Sequence, residues 1–125
     1  LLEAGANYGW PEASMGVHYG GGAIPDHVDG DGFNPPSASW VPSISPGNLA
    51  IHDGGLFTGW EDSALVGGLS GERIVRLELH PDGTAEQVQE WPMGARIRAV
   101  VVAPDGSLWI LEDGAGGRLL ELRPE

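Results

Sequence analysis

Short runs of strand character, with no helical periodicity among them, fill the last two thirds of the sequence. In the run RIVRLEL, for example, apolar residues alternate around Arg76 and Glu78, as expected for a half-buried strand. Clusters of Gly, Pro and Asp separate most of the runs, which is typical of strands joined by tight turns. The runs are NLAIH (48–52), ALVGGL (64–69), RIVRLEL (73–79), AEQVQEW (85–91), IRAVVVA (97–103), SLWILED (107–113) and RLLELRP (118–124). The pattern predicts an all-β fold.

Two turns between these runs are nearly duplicates, HPDGT (80–84) and APDGS (103–107). Proline presets one φ angle of a tight turn and glycine accepts a positive one, so Pro-Asp-Gly suits both positions. A strand, turn, strand unit that recurs after about two dozen residues is typical of radial β-units such as the blades of a β-propeller.

Four strands to a blade divide the chain into three parts. Residues 1–37 are predicted to be an irregular loop region, because Gly, Pro, Asp and Asn crowd them without a sustained period. Residues 38–91 are predicted to form one blade, and residues 92–125 a last, incomplete blade of the same propeller domain. A propeller needs about four to eight blades. We therefore expect the chain to require further blades, or association with copies of itself, to close the ring.

The charge of the chain excludes several classes of partner. Eighteen Asp and Glu residues face six arginines and no lysine, which gives a formal net charge of −12. Binding to nucleic acid or to an anionic membrane surface needs a basic face, so neither partner is expected. No apolar run approaches the roughly 20 residues that span a bilayer, so no membrane insertion is expected either.

Two of the six arginines lie one residue apart in GARIRAV (94–100). On a strand, Arg96 and Arg98 share one face and Ile97 takes the other. Neighbouring guanidinium groups repel each other unless an anion lies between them. The anion is either a ligand or an Asp or Glu side chain on a neighbouring strand.

Three stretches together resemble the C-terminal part of a known family. They are NYGWP (7–11), the run from WVPSISPGNLAIHD to RIVRLEL (40–79), and RIRAVVVAPDGSLWILED (96–113). The order and spacing resemble the soluble glucose/sorbosone dehydrogenases, also called aldose sugar dehydrogenases, which use pyrroloquinoline quinone (PQQ). The resemblance implies a six-bladed β-propeller, of which this chain covers about two C-terminal blades plus a long loop.

The resemblance also implies a function. These enzymes oxidise the anomeric hydroxyl of an aldose to a lactone, pass electrons to an acceptor, and are periplasmic or extracellular. Arg96 and Arg98 match the arginines that contact PQQ in the family, and Trp40 lies near the position of an aromatic residue facing the cofactor. The family binds calcium through residues outside this part. Its histidine base matches none of the histidines here, so neither a catalytic residue nor a metal ligand is predicted within the chain.

Two positions depart from the family pattern. Ser70 stands where the family has a lysine that reaches the cofactor, and Ala99 stands where an aspartate follows the paired arginines. Both differences remove charge from the inherited site. A second hypothesis is therefore a non-catalytic propeller that serves as a binding module, or a propeller piece that assembles with itself.

Other chemistry-bearing residues have simpler interpretations. Asp26, Asp29 and Asp31 lie in a Gly-rich loop that fails the EF-hand pattern, because Phe33 falls at a ligand position; Asx turns in a solvated loop are predicted instead. In the family this region lies near the sugar-binding mouth, where His18, Tyr19 and His27 are the residues with useful chemistry. Trp60 and Trp109 are predicted to pack in the core. The adjacent carboxylates of WED (60–62) and LED (111–113) are predicted to face opposite ways.

Overall fold

The computed structural model describes residues 2–125, which divide into a first unit up to Ser43 and a second unit from Ile44 to Glu125. The described residues contain no α-helix, and all named strands lie in the second unit. Across residues 2–125, the structure has no helix of the length and apolarity that a membrane span requires.

Seven strands form two antiparallel sheets. The first sheet has the order β1-β2-β3-β4 and the second has the order β5-β6-β7. The strands are β1 (Pro46–Asp53), β2 (Glu61–Gly68), β3 (Arg73–Leu79), β4 (Ala85–Pro92), β5 (Arg96–Val102), β6 (Leu108–Asp113) and β7 (Leu119–Leu122). Every strand falls on one of the seven predicted runs, so the all-β prediction is confirmed.

The first unit is held together by scattered backbone hydrogen bonds. Its one isolated bridge pairs Val17 with Ala23. The amide of Ser14 donates to the carbonyl of Pro25 over 2.9 Å, and Ala13 and Ile24 are buried. The irregular backbone predicted for residues 1–37 continues up to β1, which begins at Pro46.

The core of the second unit lies between the two sheets. Leu65 and Ile74 from the first sheet meet aliphatic side chains of the second: Ile97, Val100, Leu108 and Ile110. All six side chains are buried. Burying one such side chain stabilises a fold by roughly 1.5–3 kcal/mol, so this cluster fixes how the two sheets pack.

Two glycines let β1 and β2 approach β5 closely. A Cβ atom on Gly47 would lie 2.8 Å from the backbone oxygen of Arg98, and one on Gly67 would lie 2.7 Å from Cγ2 of Ile97. Both distances are shorter than real Cβ contacts, so any larger residue would push the sheets apart. The close packing seats the first half of β5, which carries both paired arginines, against the first sheet.

The duplicate Pro-Asp-Gly turns have the same geometry. Gly83 and Gly106 adopt positive φ angles of 88° and 83°, as predicted for glycine at this position. In each turn the aspartate accepts two bonds from the residue two places on. Asp82 Oδ1 binds the amide and hydroxyl of Thr84 over 2.9 and 2.7 Å, and Asp105 Oδ1 binds those of Ser107 over 3.1 and 2.7 Å.

Asp105 has one partner that Asp82 lacks, because its Oδ2 also accepts from Arg123. The Ser107 hydroxyl, the Ser107 amide and the Arg123 guanidinium together lower the pKa of Asp105 from 3.8 to about 2. A lowered folded-state pKa stabilises the fold fully above pH 3.8, and this contribution is lost as the pH falls towards 2.

We therefore expect Asp105→Asn to lower the melting temperature more at pH 7 than at pH 3. The reason is that the stabilisation from the lowered pKa is complete at pH 7 but already reduced at pH 3, which lies between the unfolded-state value of 3.8 and the folded-state value of about 2. Thermal denaturation at the two pH values measures the difference. Asp82→Asn is the matched control and should give a smaller pH-dependent change, since no arginine contacts Asp82 among the described residues. An equal loss at both pH values for Asp105→Asn would contradict the expectation.

The tryptophan prediction is right for one residue and wrong for the other. Trp60 lies just before β2 and packs against the core, stacked on Phe57 at 4.8 Å and on Trp91 at 5.3 Å between ring centroids. Trp109 instead pairs with Val101 on the opposite face of β6 from the core residues Leu108 and Ile110. Strand alternation explains the error, because the residue between two buried neighbours must point away from them.

Candidate functional site

The candidate site is the exposed face at the start of β5. The side chains of Arg96 and Arg98 are 47% and 49% exposed, whereas Ile97 between them is fully buried in the core. Arg96 and Arg98 therefore lie on the exposed face of the strand and Ile97 on the buried face, as predicted.

Asp113, at the end of β6, is the anion between the two guanidiniums. Its Oδ2 accepts from Nε of Arg96 over 3.0 Å and from Nη2 of Arg98 over 3.1 Å. The Arg96 and Arg98 hydrogen bonds lower the pKa of the Asp113 carboxyl below its usual value. The cross-strand carboxylate that the sequence left open as an alternative is therefore present.

A β-bulge brings both arginines to the same carboxylate. Arg96 pairs directly with Asp113 and Ile97 with Glu112, but the next partners are Ala99 and Leu111. Arg98 is therefore an extra residue in β5 without an opposite number on β6. Bulges change the direction of a side chain. This one lets the side chain of Arg98 reach Asp113.

The cluster keeps the capacity to bind an anion. Two guanidiniums and one carboxylate leave one positive charge on a chain whose net charge is −12. Each arginine donates one N–H to Asp113, and within residues 2–125 no other side-chain hydrogen bond of either is found. Since a guanidinium has five N–H groups, most of the donors remain for a ligand. Such planar donors match the geometry of carboxylates and phosphates.

Ser70 lies in the turn between β2 and β3, where the resemblance implies a lysine in the family. Its hydroxyl hydrogen-bonds to the hydroxyl of Ser45 over 2.9 Å, and the carbonyl of Ser45 accepts from the amide of Leu69 over 2.9 Å. Ser45 is two residues before Gly47, where an added Cβ atom would lie 2.8 Å from the backbone oxygen of Arg98. The uncharged position at Ser70 thus belongs to the same end of the two sheets as the paired arginines.

Trp40 is half-buried and belongs to the first unit, which is described by itself. Its predicted contact with the cofactor therefore stays a prediction.

Among the other candidate residues of the first unit, Asp31 and His27 have local partners. Asp31 accepts from the amides of Phe33 over 2.8 Å and of Val28 over 3.2 Å, and the Phe33 bond is the main reason why its pKa is lowered. This is the predicted Asx-type turn. Nδ1 of His27 lies 3.3 Å from Oδ2 of Asp31. His18 and Tyr19 are exposed. Among the described residues, no three His, Cys, Asp or Glu side chains are grouped so as to hold a metal ion.

The adjacent carboxylates of LED face opposite ways, as predicted. Glu112 is 7% exposed and binds the guanidinium and the amide of Arg118, whereas Asp113 binds the paired arginines on the other face. Sequence reasoning therefore separated the two side chains but missed the role of Asp113. The signal for that role is the hairpin register that sets Arg96 opposite Asp113.

Comparison with known proteins identifies the family. The chain matches the structure of soluble Aldose sugar dehydrogenase from Escherichia coli, solved in the apo-form, with a TM-score of 0.85 and 29% identity over 97% of this chain and 36% of that one. The fold is therefore that of part of a β-propeller. The family model for Glucose / Sorbosone dehydrogenase matches residues 1–121, and the chain belongs to this family.

Two curated relatives agree with this assignment. Aldose sugar dehydrogenase YliI of Escherichia coli (strain K12) is 31% identical over 128 aligned residues, which cover 99% of this chain and 34% of the relative. Quinoprotein glucose dehydrogenase B of Acinetobacter calcoaceticus is 35% identical over 81 residues, which cover 60% of this chain and 17% of the relative. The chain thus spans about a third, or less, of the length of these relatives.

Proposed function

We propose that this chain supplies the paired arginines of a PQQ site in a sugar dehydrogenase that oxidises the anomeric hydroxyl of an aldose to a lactone. The observation that carries the proposal is the exposed pair of Arg96 and Arg98, fixed on one carboxylate at the end of a blade. Membership of the Glucose / Sorbosone dehydrogenase family supports the sugar, and the name of the quinoprotein relative supports the quinone.

The residues at the site fit this cofactor. PQQ is a planar tricarboxylate, and when bound it supplies the two-electron oxidant that amino-acid side chains lack. Arg96 and Arg98 would hold its carboxylates through parallel N–H donors, and their planar groups can also stack on a flat ring. Trp40 is proposed as an aromatic contact of the same cofactor. The base that accepts the hydroxyl proton, and the calcium ions of the family, are not assigned to residues of this chain.

The remaining parts of the proposal concern the setting of the reaction. An electron acceptor is required to reoxidise the cofactor after each turnover, because lactone formation releases two electrons. A periplasmic or extracellular location is proposed on the resemblance to the family. Cell fractionation followed by immunoblotting tests the location, and recovery of the protein in the cytoplasm would contradict it.

The test of the proposal is calorimetric titration of PQQ into the chain in calcium buffer. We expect saturable binding that Arg96→Ala/Arg98→Ala weakens at least tenfold, because two charge-assisted contacts are lost. Arg73→Ala/Arg123→Ala is the matched control. It removes the same two charges from exposed arginines elsewhere in the second unit and should leave the affinity within about twofold.

Equal weakening by both double variants would mean that only net charge matters, and it would refute a specific arginine site. A second candidate, a non-catalytic binding module, is favoured by the uncharged Ser70 and Ala99. It predicts no PQQ binding by the wild-type chain, whereas the proposed function requires it. Solution mass separates the self-assembling form of this alternative, since it predicts an oligomer.

A further inference from the structure

Asp113 does more than offset the charge of the two arginines, because it bonds to both of them at once. One oxygen, Oδ2, accepts from both guanidiniums, and the carboxylate is only 28% exposed. Two long side chains that would otherwise sample many rotamers and repel each other are therefore held in one arrangement. A ligand that binds to a pair already held in place does not bear the free-energy cost of ordering the two side chains.

The backbone reinforces this arrangement from two sides. The bulge at Arg98 turns an unpaired residue of β5 towards Asp113. On the other side, the carbonyl of Arg98 lies so close to Gly47 that no side chain fits between them. The positions of both arginines thus depend on fixed backbone, and Asp113 supplies the contact that fixes their ends.

We propose that Asp113 is a positioning residue, which holds Arg96 and Arg98 as one preorganised pair for a ligand that carries several carboxylates. The identification of this ligand as PQQ rests on the proposed function, whereas the positioning depends only on the geometry of β5 and β6. Asp113 itself repels the ligand, so its contribution to binding acts through the arginines.

The charge and the position of Asp113 have opposite effects on affinity, and this makes the proposal testable. Removing a negative charge beside an anion site should strengthen anion binding if charge alone acts. Releasing two arginines from a fixed arrangement should weaken it. The sign of the change in affinity therefore separates the two roles.

The experiment is calorimetric titration of the full chain and its Asp113→Asn variant with two probes, PQQ and benzene-1,3,5-tricarboxylate. We expect about tenfold weaker binding of both probes to the variant, from the cost of ordering two side chains. Asp113→Glu keeps the carboxylate and should lie closer to wild type. Glu90→Gln is the matched control, because Glu90 also pairs with an arginine, Arg73, over 3.0 Å. It should stay within about twofold of wild type.

The outcomes separate this proposal from the proposed function. Unchanged or tighter binding of the tricarboxylate to Asp113→Asn overturns the positioning role, and so does a wild-type chain that binds neither probe. Binding of the tricarboxylate but not of PQQ, with the expected loss in Asp113→Asn, supports positioning and refutes the PQQ site. Circular dichroism checks folding. Asp113→Ser, which also lacks the charge, provides the same comparison if the asparagine variant does not fold.

Discussion

Replacing Gly106 by alanine is expected to destabilise the chain by roughly 2–5 kcal/mol. Gly106 has a φ of 83°, where an L-residue costs about 1–2 kcal/mol. A Cβ atom there would also lie 2.6 Å from the backbone nitrogen of Leu56 and 3.1 Å from Cα of Gly55. Backbone atoms cannot rotate away as a side chain does, so the turn after β5 would have to move, at a further cost of about 1–3 kcal/mol. Urea unfolding measures the sum.

Gly83→Ala is the matched control, because it lies at the same position of the duplicate turn. Its φ is 88°, but a Cβ atom there would have no neighbour within 4 Å. We expect it to cost only the conformational part, about 1–2 kcal/mol. The difference between the two variants isolates the close approach of Gly106 to the loop after β1. Equal losses would show that this contact does not exist in solution.

The duplicate turns also show what could be predicted from the sequence. Pro-Asp-Gly fixes a local backbone path, and short alternating runs fix strands, so every strand of the second unit follows from neighbouring residues. The close contact between Gly106 and Leu56 does not follow, because the two residues are far apart along the chain. Two nearly identical turns therefore differ in their environment in a way that only the packing of the sheets determines.

At the candidate site, too, some features follow from the local sequence and others depend on how the strands pair. The exposure of Arg96 and Arg98 follows from strand alternation, and the resemblance to the family gives them a ligand. Their shared contact with Asp113 depends on a bulge, which moves one residue out of register and leaves no local pattern in the sequence. Which carboxylate meets the pair could therefore not be predicted, although an acidic partner on a neighbouring strand was one of the alternatives.

The side chains of β1 do not follow the rule that apolar residues point inwards and polar residues point outwards. Leu49 and Ile51 are 56% and 54% exposed, whereas Asn48 and His52 point inwards, and His52 is fully buried. Each inward polar residue makes a hydrogen bond to the backbone. Nδ1 of His52 accepts from the amide of Gly54 over 2.9 Å, and the amide group of Asn48 binds the backbone of β5. Buried polar groups are tolerated when they are hydrogen-bonded. The partner of Asn48 is tertiary, whereas that of His52 Nδ1 is local and Nε2 of His52 has no hydrogen-bond partner among the described residues.

Asn48→Ala is accordingly expected to destabilise the chain by about 3 kcal/mol. Its Nδ2 donates to the carbonyl of Val100 over 2.8 Å, and its Oδ1 accepts from the amide of Val100 over 2.7 Å. The side-chain amide therefore bonds to both backbone groups of Val100, as a backbone amide of a paired strand would, and so joins β1 to β5. Alanine leaves a donor and an acceptor of a fully buried residue without partners, and each such group costs about 1–3 kcal/mol.

Gln89→Ala is the control for loss of a side-chain amide, because Gln89 is exposed on β4 and its side chain bonds only to the side chain of Arg76 within the described chain. It should cost less than about 1 kcal/mol in the same urea unfolding experiment. Asn48→Asp separates the two bonds, since a carboxylate can accept from the Val100 amide but cannot donate to its carbonyl. We expect it to be as destabilising as alanine or more so, because it places a charge against a carbonyl oxygen. If Asn48→Asp matched wild type, the bond from Nδ2 would contribute nothing, and of the two bonds only the one from the Val100 amide would stabilise the fold.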